Sequence, residues 1–327
     1  MGSPAAETLA ALGEGAVLAR IFPRLPAARA AAVGPGDDAA VVVAPDGRYV
    51  VTTDTMVHGP DFRRAWSSPY DLGWKAAATN LADVAAMGAV PTALVVALVA
   101  PAETPVADLE SLADGLRDAC AALAPGCGVV GGDLSVSPVL TIAVTALGDL
   151  EGRPPVLRSG ARPGDVVAIA GDLGRAAAGL AVLFSRFARP DGEAVPVPAG
   201  ALDAEEATLV EAQRRPRPPV AAGREAALAG ATAMLDVSDG LAIDARRLAA
   251  ASGVRVELSS SAVGSLRALT GGEDHALLAA FPPEAPLPDG FRAIGEVLAG
   301  EGLTVDGRAF DARGGWDPYE DWSGAAG

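Results

Sequence analysis

Lysine is nearly missing from this chain of 327 residues: Lys75 is the only one, against arginines scattered along the whole length. Scattered arginine reads as a compositional bias and not as a binding surface. Cysteine is almost as scarce. Cys120 and Cys127 fit neither a CxxC pair nor zinc-ligand spacing, so a disulfide framework is excluded and both read as small buried residues in a reducing compartment. The two histidines, His58 and His275, also lack zinc-ligand spacing, and His58 reads as an exposed loop residue. No Ser/His/Asp or Cys/His constellation is present, and no GxxxxGK[ST] loop, which excludes a P-loop protein. Net positive charge is lacking too. At −16 the surface repels nucleic-acid phosphates and anionic membranes, while a small anion brought in with a divalent metal remains compatible. The longest apolar run, 89–102, contains Pro91 and is too short to span a bilayer. The N-terminal stretch has no basic or apolar targeting region. A soluble, cytoplasmic protein is expected.

What is present is a globular, alanine-rich composition long enough for two domains. A helix is expected over 8–22. Strands over 39–44 and 48–54 flank Pro45-Asp46-Gly47, a turn signal, and together read as a β-hairpin. Residues 70–88 read as an alanine-rich helix closed by Gly88, followed by a strand (92–100), a helix (105–123) and strands at 127–131 and 138–147. The Gly/Pro/Arg-rich segment 148–165 reads as a boundary between domains 1–150 and 151–327. Beyond it come a strand (166–170), a helix (174–187), an irregular stretch with a helix at 203–213, and a helix (220–229). A strand (232–236), a helix (239–251), a strand (254–258) and a weak strand at 276–281 complete the pattern. Without strict βαβ alternation, the fold class is α+β, mixed α/β, in two domains.

Chemistry concentrates at element ends. In the hairpin reading, GDD (36–38) and TTDT (52–55) form one site, with Asp38 across from Asp54 at about 4.5–5.5 Å between Cβ atoms. Carboxylates that close repel unless a cation lies between them. Mg²⁺ takes such oxygen ligands, with Thr52 and Thr53 in reach. The alternative is a solvated acidic strand end. Asp83 sits among small apolar residues mid-helix, either functional, or facing water or paired with Lys75. GVVGGDLS (128–135) lets backbone N–H groups approach an anion beside Asp133, unless it is a plain strand exit. GDLGRAAAGL (171–180) opens a helix whose N-terminus could take phosphate. LDVSDGL (235–241) delivers Asp236, Ser238 and Asp239 to a helix start, where Ser238 or Asp239 could instead be only an N-cap. TGGEDH (270–275) repeats the pattern with Glu273, Asp274 and His275. So many acidic stretches at element ends point to a polyphosphate held through several Mg²⁺ ions.

At these residues the chain resembles the thiamine-monophosphate kinases of the aminoimidazole ribonucleotide synthetase-like superfamily. The motifs follow that family's order: GDDAAVV (36–42), TTDTMV (52–57), Gly59 and Phe62, NLADVAAMGAVP (80–91), GGD (131–133), LRSGARPGD (157–165), LDVSDGL, GGEDH and Trp316. The resemblance runs essentially end to end. It implies an N-terminal domain whose strands pair across a homodimer and a C-terminal α+β domain, with the site between them. It implies ATP-dependent, Mg²⁺-assisted conversion of thiamine monophosphate to thiamine diphosphate by direct in-line transfer.

Carried over by position, Asp38, Thr52, Thr53, Asp54, Asp83, Asp133, Asp236 and Asp239 would bind Mg²⁺. Gly132, Asp133, Arg158 and Ser238 would contact ATP, and Asp61, Glu273 and Trp316 the substrate, Trp316 by stacking. Four positions depart from the common pattern: Asp61 replaces histidine, Leu134 threonine, His275 tyrosine, and Asp172 falls where Thr-Gly is usual. The alternatives are another ATP-using synthetase of the superfamily or a non-catalytic nucleotide-binding protein. No cysteine precedes Gly34 and the chain ends WSGAAG, against the selenophosphate-synthetase and hydrogenase-maturation relatives, whose reactive cysteines lie at those ends.

Overall fold

The computed structural model describes residues 7–35, 39–312 and 314–315. Asp37, Asp38 and Trp316 therefore lie outside the described residues. The chain opens with two short helices, α1 (Leu9–Leu12) and α2 (Glu14–Ile21). They stand where one helix over 8–22 is expected, because Gly13 takes φ 75°, which no continuous right-handed helix allows. Among the described residues, strands β1 (Ala31–Val33) and β2 (Val41–Val42) pair only with each other.

Next come β3 (Val50–Val57), α3 (Pro69–Ala86), β4 (Val90–Ala100), α4 (Val106–Leu123), β5 (Gly128–Val136) and β6 (Thr141–Asp149). They form a four-stranded sheet in the order β3-β6-β4-β5. The expected hairpin does not form. Pro45-Asp46-Gly47 does turn, with Gly47 N–H donating to Ala44 O at 3.1 Å. Beyond it, however, β3 pairs along all eight residues with β6, including Asp54 opposite Val144. Alternation of side chains identifies a strand but not its partner, and the eight-residue ladder with β6 outweighs a two-residue β2.

Helix α3 starts at a capping box, Ser68 with Asp71, and Pro69 takes the first-turn place where no N–H is needed. Nearly all of it is buried, including Ala76, Ala77, Ala78 and Leu81. It packs on α4 so closely that a Cβ on Gly73 would lie 2.0 Å from Leu112 O, and one on Gly115 2.1 Å from Tyr70 O. Cys120 and Cys127 are buried and unbridged within this core, and the hydrogen bond between them pushes the Cys127 thiol upward.

The remaining elements are β7 (Val166–Ala170), α5 (Arg175–Phe187), α6 (Ala204–Arg214), α7 (Val220–Leu228), β8 (Ala233–Val237), α8 (Leu241–Ser252), β9 (Arg255–Leu258), α9 (Ser260–Val263), α10 (Leu266–Thr270), β10 (Ala276–Phe281), β11 (Phe291–Leu298), β12 (Gly302–Val305) and β13 (Arg308–Ala309). Their seven-stranded sheet runs β13-β12-β9-β11-β7-β10-β8. Strands β11 to β13 carry no clean apolar alternation, and the sequence reading does not anticipate them. The two sheets share one core. Phe281, Phe291 and Met234 of the second sheet cluster with the apolar face of α3. This seam places the ends of β8 and β10 beside β3 and α3.

Candidate active site

A cavity of about 660 Å³ lies along that seam. Asp54, Asp61, Asp83, Arg158, Asp236, Ser238, Asp239 and Glu273 all line it, so residues nearly 220 positions apart meet in one place. Each acid arrives for a local reason. Thr52 and Asp54 share one face of β3 through its two-residue period, and that face looks at α3. There Thr52 Oγ1 donates to Asp83 Oδ2 at 2.8 Å, and Asn80 Oδ1 accepts the Asp54 N–H at 3.1 Å. Asp83 therefore pairs with Thr52, and the alternative pairing with Lys75 does not occur, since Lys75 reaches Glu273. Thr53 lies on the opposite face, where its hydroxyl donates to Val144 O at 3.0 Å and accepts from Thr145.

Asp236 is the penultimate residue of β8 and is buried. The turn after it leads into α8, whose N-cap is Gly240 with no side-chain cap. The expected capping role of Ser238 or Asp239 is not seen. Asp244 does that work from inside the helix, its Oδ2 accepting the N–H groups of Asp239 and Gly240 at 3.3 Å each. Asp239 is thus available to the cavity, and Arg247 Nη1 holds its Oδ2 at 2.6 Å. The GGEDH loop packs on this turn. A Cβ on Gly272 would sit 2.4 Å from Ser238 O, so only glycine fits there. Glu273 and His275 both adopt left-handed backbone, φ 70° and 53°, costing roughly 1–3 kcal/mol each, as is common where a loop is held for function.

Asp274 turns away from the cavity and accepts the Ala176 N–H at 2.8 Å. The N-terminus of α5, expected as a phosphate seat, is therefore already occupied by a carboxylate.

The charges are mutually tense. Desolvation and repulsion from Asp236 and Asp54 push Asp83 up to about 7, against the pull of the Thr52 hydroxyl. Desolvation, with Asp236 and Asp239 adding to it, also raises Asp54. His275 is buried with Nδ1 3.2 Å from Asp236 Oδ2. Burial alone would lower its pKa, but the pairing with Asp236 raises it. Burial would raise Glu273, but Lys75 at 3.0 Å, with His275 and Gln213, holds it below its ordinary value. Asp61 Oδ2 accepts the Val57 N–H at 2.7 Å, and desolvation raises its pKa.

Gly132 and Asp133 do not reach this cavity. They are exposed on β5 and line a second cavity of about 880 Å³ with Val96, Leu112 and Ala40. Arg158 is exposed and lines both the main cavity and a third behind it, which also contains Thr52, Asp83 and Asp236.

Sequence reasoning misses several lining residues. Lys75 and Gln213 are buried polar side chains, and Trp66 and Phe184 meet edge to face at 4.8 Å under the Arg63 guanidinium; His275, singled out in the GGEDH stretch, is buried in the same lining. Lys75 alone carried a signal, its isolation in the composition. His58 is half-buried against Phe62, ring centroids 5.6 Å apart, and not an exposed loop residue.

Residues 36–150 match the family described as AIR synthase related protein, N-terminal domain. With the two-sheet fold and the acid-lined seam, this defines an AIR-synthase-related α+β protein. A solved thiamine-monophosphate kinase from Stenotrophomonas maltophilia K279a superposes with a TM-score of 0.73 at 29% identity, covering 90% of this chain and 95% of that one. A structure of AaThiL complexed with AMPPCP and TMP gives a TM-score of 0.71 at 33% identity, over 85% of this chain and 90% of its own. A curated thiamine-monophosphate kinase of Mycobacterium tuberculosis is 44% identical, over 95% of this chain and 93% of its own length. The chain belongs to the thiamine-monophosphate kinase family.

Proposed function

We propose that the protein transfers the γ-phosphoryl group of ATP to thiamine monophosphate, giving ADP and thiamine diphosphate. The observation that carries this reading is the single cavity in which Asp54, Asp83, Asp236 and Asp239 face one another beside Arg158, Ser238, Asp61 and Glu273. Its volume of about 660 Å³ falls in the range of small-molecule sites. Kinship with thiamine-monophosphate kinases along nearly the whole chain supplies the substrate.

The donor set suits Mg²⁺. All four acids offer hard oxygen ligands, and a cation would offset both the burial that chiefly raises Asp54 and Asp83 and the carboxylate repulsion that adds to it. Among the described residues no three His, Cys, Asp or Glu side chains form a ready metal-holding group. Mg²⁺ is usually held by one or two carboxylates and completed by phosphates and water. When bound, Mg²⁺ would neutralise the repulsion between two phosphate groups and the charge that develops during transfer. Asp38 and Trp316, outside the described residues, belong to the proposed metal and substrate sets, as Thr52, Thr53, Gly132 and Asp133 belong to the metal and ATP sets.

Transfer is in line. An oxygen of the substrate phosphate bonds to the γ-phosphorus, the bond to the bridging oxygen breaks, and its electron pair leaves with ADP. A phosphate monoester, with a second pKa of about 6, is already anionic near neutral pH, so no general base is required. Ser238 and Arg158 offer a hydroxyl and a cation to phosphate oxygens. Asp61 and Glu273 offer acceptors and negative charge to the aminopyrimidine N–H and the cationic thiazolium ring of thiamine.

Residues 1–150 and 151–327 are proposed as the two domains, and the protein as a cytoplasmic homodimer. Exposed Val41, Val51 and Val136 near the open sheet edges support association, which sedimentation measurements would test. Among the described residues no helix is long and apolar enough to cross a membrane. The function is tested by incubating the protein with Mg-ATP and thiamine monophosphate and separating the products. Thiamine diphosphate formed in step with ADP is expected; ADP without thiamine diphosphate would refute the reading.

A further inference from the structure

One of the 25 basic residues of the chain is a lysine, and it is buried within α3. Everywhere else the chain uses arginine. Lys75 Nζ lies 3.0 Å from Glu273 Oε2, with its side chain 6% exposed. Gln213, buried near the end of α6, donates from Nε2 to the same oxygen at 3.3 Å. Two buried donors from two helices thus converge on one carboxylate oxygen, leaving Oε1 outside these bonds. The Glu273 main chain is fixed as well, its N–H donating to Ser238 O at 2.8 Å from a left-handed conformation. Lys75, Gln213 and Glu273 all line the main cavity, and the Glu273 side chain remains 37% exposed.

We propose that Lys75 and Gln213 are positioning residues that clamp Glu273 by Oε2 and so present Oε1 as a fixed acceptor to an N–H donor of the thiamine ring system. This rests on the functional reading above. A fixed acceptor loses less freedom on binding than a mobile one, so the clamp acts on substrate affinity and not on the phosphoryl-transfer machinery. Lysine suits the place because its ammonium is a compact point donor on a flexible stem. An arginine would bring a wide planar fork into a closed slot.

The experiment compares Lys75→Met, Gln213→Leu, Glu273→Gln and the double variant Lys75→Met/Glu273→Gln. KM is measured separately for thiamine monophosphate and for ATP, and folding is checked by thermal unfolding. Lys75→Met should raise KM for thiamine monophosphate about 10- to 100-fold, the range of a charge-assisted hydrogen bond, and leave KM for ATP within about twofold. Gln213→Leu should act in the same direction by up to about 10-fold. The double variant should be no worse than Glu273→Gln alone, because Lys75 acts through Glu273. Lys75→Arg should fold and keep the charge, yet recover only part of the affinity.

Unchanged KM for thiamine monophosphate, equal losses for both substrates, or additive losses in the double variant would overturn the proposal. Should Lys75→Met not fold, Gln213→Leu and Lys75→Arg decide the matter on the same criteria. Failure of the functional reading has a different signature: wild-type protein would form no thiamine diphosphate.

Discussion

Replacing Asp83 by Asn should stabilise the metal-free protein and disable it. In the fold the Asp83 carboxyl is pushed from 3.8 up to about 7, first by desolvation and then by Asp236 and Asp54. A carboxyl raised in this way binds its proton more tightly folded than unfolded. The linked stability is present at low pH, declines as pH rises from about 4 through about 7, and is fully lost above. Taken at face value the shift is worth about 4 kcal/mol at pH 8, and solvent at the open cavity reduces that to about 2 kcal/mol. Asn removes the charge and can still accept from the Thr52 hydroxyl, which lies 2.8 Å from Asp83 Oδ2. With an unfolding entropy of about 0.7 kcal/mol/K for a chain of this length, 2 kcal/mol corresponds to about 3 °C in Tm. Calorimetry in chelator at pH 8 and pH 4.5 would measure this. The variant should melt about 3 °C above wild type at pH 8, and the gap should shrink to about half at pH 4.5. Equal melting at pH 8, or a gap independent of pH, would refute the reasoning. Added Mg²⁺ should stabilise wild type more than the variant, and the variant should lose most turnover.

Other perturbations read other parts of the site. Asp54→Asn and Asp239→Asn should each lower kcat by roughly 100-fold or more, since oriented charge acts in the transition state; near-normal turnover in both would sink the metal-site proposal. Gly272→Ala places a Cβ 2.4 Å from Ser238 O, so the loop must move, and KM for thiamine monophosphate should rise together with a stability loss of about 1–3 kcal/mol by denaturant titration. Asp274→Ala removes the acceptor at the start of α5 and should cost about 1–2 kcal/mol, whereas Asp274→Asn, which keeps that acceptor, should cost distinctly less.

Much of this was readable from residue order. The 166–170 and 276–281 strands stand where the apolar runs and their flanking turns place them. The long helices of the first half also hold, because alanine-rich periodicity, a cap and a terminal glycine are local signals. The acids of TTDT, NLAD and LDVSDGL could be singled out because carboxylates beside small apolar residues lack local partners. Local sequence did not supply pairing. It could not tell that β3 would choose β6 over β2, that Lys75 would reach Glu273 instead of Asp83, or that Asp244 would cap α8 and leave Asp239 to the cavity. Nor could it show that the seat at α5 was taken by Asp274. Propensity, capping and composition act over a few residues, and these fix where elements begin and what chemistry each end carries. Which ends meet depends on burying α3 between two sheets, a choice made by packing between residues more than a hundred positions apart.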